Sequence, residues 1–470
     1  MEIRDVIHGS IQIEPHEIPI IASRFFQRLR QIRQLGFADA SFPSATHNRY
    51  IHSLGAMETA SQMLDSIFLV KKRPFELTPA TYARFRSVLR LAALLHDVGH
   101  GPLSHTTEFA MPLVEKLKIP GIEPSSASKK KATHEDYTLK MILDSELSTL
   151  IRASALAGYS GSNLVNYSEN HVAALIDRRV VIEDDFFIDQ EIDFRPVLQQ
   201  IISSELDADR MDYLRRDSLH AGVSYGQFDS NWLLSNLTAH FENNKCYLGL
   251  QQRAIYAFED FLISRFHMFL MVYFHYESVI YEEMLAAFLT SPDCDYHLPA
   301  DIERYLEFND GHLYAHLARS TNAWAQRISQ KKPYQMLVEI HSGIPAKKSS
   351  QVEHEELLKK VTADLEHQKI HYIMAQSTSE LSKYFGRLSH PGKHLVGKPE
   401  SDPIFVKVDN HYSQPRFIPL EQCTDLFQRY SEKRSITRLY IAPENYQKFH
   451  KAPPVIAAEN PILSKQEVSF

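Results

Sequence analysis

The sequence predicts a mainly α-helical core followed by a smaller α+β lobe, and three observations carry that expectation. Apolar residues recur at helical spacing through most of the first 290 positions, with capping residues and turns between the runs. The stretch 251–290 contains neither Pro nor Gly and is apolar on more than one face. It is expected to run through the core as one helix, roughly 60 Å long if unbroken. After Ser291-Pro292 the character changes, and short helices alternate with β-rich runs around Met336-Leu337-Val338, Phe405-Val406 and Leu439-Tyr440-Ile441. The chain of 470 residues also exceeds the size of a single core, which stops growing at roughly 250–300 residues. The expected division is a core over 1–290, a lobe over 291–451 and a Pro-containing tail over 452–470.

In chain order, Val6 to Ile13 alternates weakly, and amphipathic helical spacing follows over 17–35, with Phe25, Leu29 and Ile32 on one face and Gly36 as its stop. A Ser/Pro-containing loop over 41–48 leads into a helix expected over about 53–70. Thr78-Pro79 reads as the N-cap and first residue of the next helix, which ends in Leu94-Leu95-His96-Asp97. Pro, Gly, Ser and a lysine run make 119–132 an exposed loop, and Thr133 restarts a helix at His134. A polar loop over 158–170 precedes further helices, one of them over about 204–217. On that helix Arg215 and Arg216 read as a solvated face, and the aromatic series Phe258, Phe261, Phe266 and Phe269 reads as core.

Composition narrows the class. With 44% hydrophobic and 23% charged residues the chain is an ordinary globular protein. A net charge of −7 argues against a surface that coats nucleic acid, so an anionic substrate must meet local arginines. Cys246, Cys294 and Cys423 fit neither a disulfide framework nor a C-x-x-C metal site, which points to a reducing, cytoplasmic compartment. No signal pattern opens the chain, and the most apolar run is interrupted by Arg265 and His267, so no membrane anchoring is expected.

The chemistry concentrates in His96-Asp97-Val98-Gly99-His100-Gly101-Pro102-Leu103-Ser104-His105. An adjacent imidazole and carboxylate at a helix end offer two ligands to one divalent metal. His52, which follows a loop and opens a helix, and Asp209 in Asp207-Ala208-Asp209-Arg210-Met211-Asp212 would complete a set of two His and two Asp. Such a set leaves positions open for water, as a catalytic metal requires.

With these motifs the chain resembles the HD-domain deoxynucleoside triphosphate triphosphohydrolases, and most closely the branch that in animals carries a SAM domain in front. The resemblance rests on Asp5-Val6-Ile7-His8-Gly9, on Phe26-Gln27-Arg28-Leu29-Arg30 through Gly36, and on His47-Asn48-Arg49-Tyr50-Ile51-His52. It continues through the His-Asp stretch, Thr133-His134-Glu135 and Asp209-Arg210-Met211-Asp212-Tyr213, with weaker similarity at Lys332-Pro333-Tyr334 and Arg438-Leu439-Tyr440. No SAM domain precedes the match, which starts almost at residue 1.

The resemblance implies that the helical core is an HD domain holding one divalent metal, Mn, Mg, Fe or Zn, on His52, His96, Asp97 and Asp209. It implies His105 as the catalytic histidine with Glu108 as its acidic partner, and His100 and His134 as phosphate contacts. Arg49, Arg210 and Arg265 match phosphate-binding positions, and Gln34, Leu35, Tyr213, Asp217 and Tyr273 match positions around the deoxyribose. The implied activity is hydrolysis of deoxynucleoside triphosphates to deoxynucleoside and tripolyphosphate by a homo-oligomer, dimer or tetramer. Two alternatives stand beside it: an HD phosphohydrolase acting on another nucleotide or on single-stranded nucleic acid ends, and a nucleotide-sensing interaction protein whose HD site is structural. One position departs from the branch. Where the family reads guanine with an Asp five residues before Gln27, this chain has Ala22, so Gln27 and Arg30 remain as a partial allosteric site.

Overall fold

The computed structural model describes residues 1–69, 76–122, 130–157, 166–342, 348–379, 402–426 and 434–451. The tail over 452–470, Lys129 of the lysine run and most of the loop over 158–170 lie outside them. A short antiparallel hairpin, β1 (Glu2–Asp5) and β2 (Gly9–Gln12), opens the chain. The helical core follows with α1 (Ile18–Ala22), α2 (Arg24–Gln27), α3 (Arg49–Phe68) and α4 (Pro79–Leu95). Next come α5 (His134–Leu143), α6 (Glu146–Ala157), α7 (Glu169–Ile176), α8 (Arg195–Ile202), α9 (Ala208–Ala221) and α10 (Ser230–Ser235). The pair α3 and α4 forms the centre, with α9 laid across α3. Leu54, Met57, Leu64, Leu89, Leu91 and Leu94 are buried there.

The expected helix over 17–35 is broken. Ser23 adopts an extended conformation and caps α2 through its hydroxyl, the next turn is a 3-10 helix at Arg28–Gln31, and Ile32 is extended. The backbone of Arg33 then pairs with Asn48, just before α3 begins. The expected helix over 251–290 is broken as well. It resolves into α11 (Ile255–Met268), a π-helical turn at Phe269–Tyr273 and α12 (Tyr276–Thr290). The π turn adds a residue to the helical repeat, which absence of Pro and Gly cannot reveal. His275 then leaves the helix with extended angles and accepts from the Glu277 amide at 3.4 Å to start α12. The N-cap expectation at Thr78 holds: its hydroxyl accepts from Thr81 N at 3.1 Å.

Beyond α12, the helices α13 (Ile302–Tyr305), α14 (Asp310–Arg319) and α15 (Ala323–Ser329) pack back on the core. The C-terminal part adds β7 (Gln335–Ser342), α16 (Lys348–His367) and β8 (Tyr372–Ser379). Then come β9 (Phe405–Val408), β10 (Arg416–Pro419), β11 (Arg434–Ile441) and α17 (Pro443–Lys451). Strands β7, β11 and β8 form an antiparallel sheet in that order. By contrast β9 runs parallel to β6 (Lys245–Gln251), in a sheet with β10, β5 (Leu237–Glu242), β4 (Ile192–Asp193) and β3 (Ile188–Asp189). Mainly α with a smaller α+β part is therefore the architecture. No helix among the described residues is long and apolar enough to cross a membrane.

Candidate metal centre and active site

Three helix ends deliver the four expected ligands. His52 lies in the first turn of α3, where Asn48 caps the helix; His96 is the C-cap of α4, with Asp97 next to it; and Asp209 is in the first turn of α9, capped by Asp207. His52 Nε2 lies 3.0 Å from Asp209 Oδ1 and 3.6 Å from Asp97 Oδ2. His96 Nε2 lies 3.4 Å from Asp97 Oδ1 and 3.6 Å from Asp209 Oδ1. Ligands about 2.1 Å from one ion stand roughly 3.0–3.4 Å apart at octahedral or tetrahedral angles, so His52, His96 and Asp97 are close to the spacing that one divalent cation needs, with Asp209 beside both histidines.

The orientation of the rings fits too. His96 Nδ1 donates to the Ala93 carbonyl at 2.7 Å and His52 Nδ1 to Asp212 Oδ2 at 2.9 Å, while the Nε2 atoms of both are buried without a hydrogen-bond partner. Each ring thus turns Nε2 inward and anchors Nδ1 on an outer carboxylate or carbonyl, the orientation of a ligating histidine. Burial alone would hold the His52 imidazole down, yet the Asp209 and Asp212 carboxylates beside it push it up to about 10. The pocket therefore demands positive charge. Asp97 resists burial because Arg49, then His96 and His100, hold its carboxyl well below the usual range.

Asp212, which the sequence reading passed over as a site residue, is the hub of that support. Fully buried, it takes His52 on one side, His8 Nε2 at 2.8 Å on the other, and two bonds from Arg216 at 2.8 and 2.9 Å. Arg216 also donates to Asp5 at 2.7 Å, which explains the chemistry of the Asp5…His8 motif in the N-terminal hairpin. The expected solvated face is overturned here. Arg216 is completely buried because four carboxylate contacts on Asp5 and Asp212 compensate its charge, and Arg215 is half-buried. A signal was present: Asp209, Asp212 and Arg216 recur at helical spacing on the face that meets α3.

Beside the metal set sits a second group. His100 and His134 stack with ring centroids 3.8 Å apart and planes at 14°, and His105 meets both edge-on. In-plane lone pairs from parallel rings 3.8 Å apart cannot converge on one ion, so this cluster does not fit a second metal, whereas His52 and His96 cross at 79° and do. Glu108 accepts from His134 Nδ1 at 2.8 Å and His105 Nδ1 at 3.2 Å. Those two bonds overcome its partial burial and hold its carboxyl far down, at about 2. His105 is exposed toward solvent, while burial, then Arg49 and His134, keep the His100 imidazole well below its usual range.

The expected arginines fall in two places. Arg49 donates from Nε to Ser104 Oγ at 2.8 Å and pairs with Asp97. Arg210 and Arg265 share Glu205, at 3.1 and 3.4 Å, a buried acid that the sequence reading did not single out. Of the residues expected around a sugar, Tyr273 donates to Asp217 Oδ2 at 2.8 Å, and His47 occupies the other oxygen at 2.8 Å. Tyr213 stands edge-on to both Tyr273 and His52, which joins this wall to the metal set. Gln34 Oε1 is buried without a partner, and Leu35 is half-buried against the core. Gln27 and Arg30 lie apart. Arg30 sits over the Tyr50 ring at 3.6 Å, lining a cavity with Met1, Ile3, Arg4 and Asp5.

Comparison with known proteins gives the family. Residues 49–217 match the HD domain and residues 228–371 the HD-associated region. An uncharacterised protein of Methanocaldococcus jannaschii is 31% identical over 336 residues, covering 72% of this chain and 59% of its own. A deoxynucleoside triphosphate triphosphohydrolase homologue of Dictyostelium discoideum is 28% identical over 310 residues, covering 65% and 52%. The chain thus spans about half to three-fifths the length of these curated relatives. The crystal structure of a hypothetical protein from Aquifex aeolicus superposes with a TM-score of 0.66 at 26% identity, covering 96% of this chain and 99% of that one.

Proposed function

The chain carries an HD domain followed by an HD-associated region, and from that premise we propose that it is a metal-dependent hydrolase of deoxynucleoside triphosphates, releasing deoxynucleoside and tripolyphosphate. The observation that carries this reading is the order of groups across one site: a His/Asp metal set, a histidine cluster on one side of it, arginines around it and a tyrosine-carboxylate wall beyond. His52, His96, Asp97 and Asp209 would hold one divalent cation, which when bound supplies Lewis-acid activation of water and of a phosphoryl oxygen. Arg49, Arg210 and Arg265 bind and orient the phosphates, for which planar bidentate donors are suited. His105, oriented through Nδ1 by Glu108, presents Nε2 to the departing 5′-oxygen and gives it a proton. Tyr273, fixed on Asp217, fills the space at the C2′ edge, so that a ribose hydroxyl there is excluded by volume and left unpaired.

The test is to incubate the purified protein with each dNTP and NTP, with Mn²⁺ and with Mg²⁺, and to identify the phosphate product. Tripolyphosphate from dNTPs is expected, with NTPs spared; release of orthophosphate or pyrophosphate, or no turnover of any dNTP, would overturn the reading. Assembly as a homo-oligomer belongs to the same proposal and is read from the solution mass.

A further inference from the structure

The loop that carries Leu103 and Ser104 past the active site adopts a backbone that such residues avoid: their φ angles are 52° and 60°, both in the left-handed region. Something outside the loop must hold it. Leu103 N donates to Asp310 Oδ1 at 2.7 Å, and Asp310 Oδ2 accepts from Arg33 N at 2.9 Å. Asp310 is buried at 7% exposure and is the first residue of α14, in the HD-associated region. Ser104, next along, donates its hydroxyl to the Arg33 carbonyl at 2.7 Å and accepts from Arg49 Nε at 2.8 Å. One carboxylate therefore fixes both backbone segments between which the Ser104 hydroxyl is strung. A second grip lies at the start of the same loop, where Tyr305 of α13 donates to the Gly99 carbonyl at 2.8 Å.

We propose that Asp310 is a positioning residue for phosphate recognition: by holding Leu103 and Arg33 it fixes Ser104, and Ser104 aims the Arg49 guanidinium at the substrate. This rests on the proposed function for the role of Arg49. The chemistry is specific to a carboxylate. Asparagine offers one acceptor oxygen for two backbone N–H groups, and its own amide would face the second donor. A mobile Ser104 leaves Arg49 anchored at Asp97 alone, with its Nε unpaired and its fork free to swing.

The experiment compares Asp310→Asn, Ser104→Ala, the double variant and Asn309→Ala. The last removes the α14 cap one residue away, together with the Asn309 amide's bond to Gln31, without touching either acceptor oxygen, and so reports what loosening of that helix and of its contact with the 28–31 turn does. With the dNTP that the unaltered chain hydrolyses fastest, Asp310→Asn and Ser104→Ala are each expected to raise KM about tenfold. Their kcat should stay within about threefold and bound metal should be unchanged, and the double variant should be no worse than the poorer single, as for two links of one path. Asn309→Ala should lower the thermal midpoint but leave KM alone. An unchanged KM in Asp310→Asn, multiplying effects in the double variant, or an equal KM rise in Asn309→Ala overturns the proposal. If Asp310→Asn does not fold, Ser104→Ala decides, since an unchanged KM there breaks the path at its next link. If no dNTP is hydrolysed at all, the proposed function fails on its own. Amide exchange of the 101–106 segment, faster in Asp310→Asn and unchanged in Asn309→Ala, then judges the clamp, and dissociation of inorganic tripolyphosphate replaces KM.

Discussion

Replacing Gly55 by alanine tests whether the buried charge network really supports the metal set. In most helix interiors this change stabilises a protein by about 0.5–1 kcal/mol, because glycine is a poor helix former. Gly55 lies one turn after His52 on α3, at the point where α9 crosses. An ideal Cβ there would stand 2.0 Å from Asp212 Oδ1 and 2.4 Å from Arg216 Nη2, more than an ångström inside van der Waals contact. The helix cannot back away, since Leu54 and Met57 on either side are buried. Asp212 must therefore shift, and its 2.9 Å bond from His52 Nδ1 with it. Overpacking of this kind costs about 1–3 kcal/mol, and weakening a bond in a buried ionic network adds about as much again. The sign of the substitution is thus reversed. The metal-free thermal midpoint of Gly55→Ala should fall by a few degrees, and metal affinity should drop about 10–100-fold, the usual effect of disturbing an outer partner of a ligating histidine. The assays are a metal-free thermal scan and a metal titration followed calorimetrically. A raised midpoint with unaltered affinity would refute the account of Asp212.

His105→Ala should keep the metal but lower kcat by about 10²–10⁴, the range of a general acid; a near-normal kcat removes His105 from the mechanism. Tyr273→Ala should narrow the ratio of kcat/KM between dNTP and NTP, and an unmoved ratio would assign sugar choice to another residue. Burial, then Glu283, pushes the Glu282 carboxyl up to about 7. The fold then retains a proton that the unfolded chain releases near 4.5. Stability falls as pH rises through that window, and the penalty is complete above it. Glu282→Gln should accordingly be neutral at pH 4 and stabilising by about 1–3 kcal/mol at pH 8, measured by denaturant midpoints. Gln27 already donates to the Ile21 carbonyl at 2.7 Å and accepts from Arg30 at 2.8 Å, and Ala22 offers no side-chain acceptor. Turnover assayed with added GTP or ATP should therefore give GTP no special place, and a strict GTP requirement would overturn that.

The adjacent His96-Asp97 pair could be read directly from the sequence because Gly99 and Pro102 mark the end of its helix, whereas Asn48 and Asp207, which cap the helices that carry His52 and Asp209, lie outside the starts expected near 53 and 204. His52 and Asp209 lie far from that pair in sequence, and the resemblance, not local spacing, joins them to it. The mainly α class with a smaller α+β part was legible because apolar period is a local signal, while the pairing of β9 with β6 across Ser291-Pro292 is a long-range contact that no local signal marks. What escaped depends on contacts that local spacing does not encode. Arg216 looks like any surface arginine until Asp5, some two hundred positions earlier, closes on it. The break at 269–273 leaves no composition mark, because a π turn uses ordinary apolar residues, and Tyr273 at its end bonds Asp217 some fifty positions earlier. Glu205 likewise reads as one acid among several until Arg210 and Arg265 converge on it from two different helices. Buried charges of this kind are stable only when every partner is in place, since desolvation of an unpaired one costs several kcal/mol. Their roles therefore follow from the assembled fold, and the ligands they orient are the part that a sequence displays.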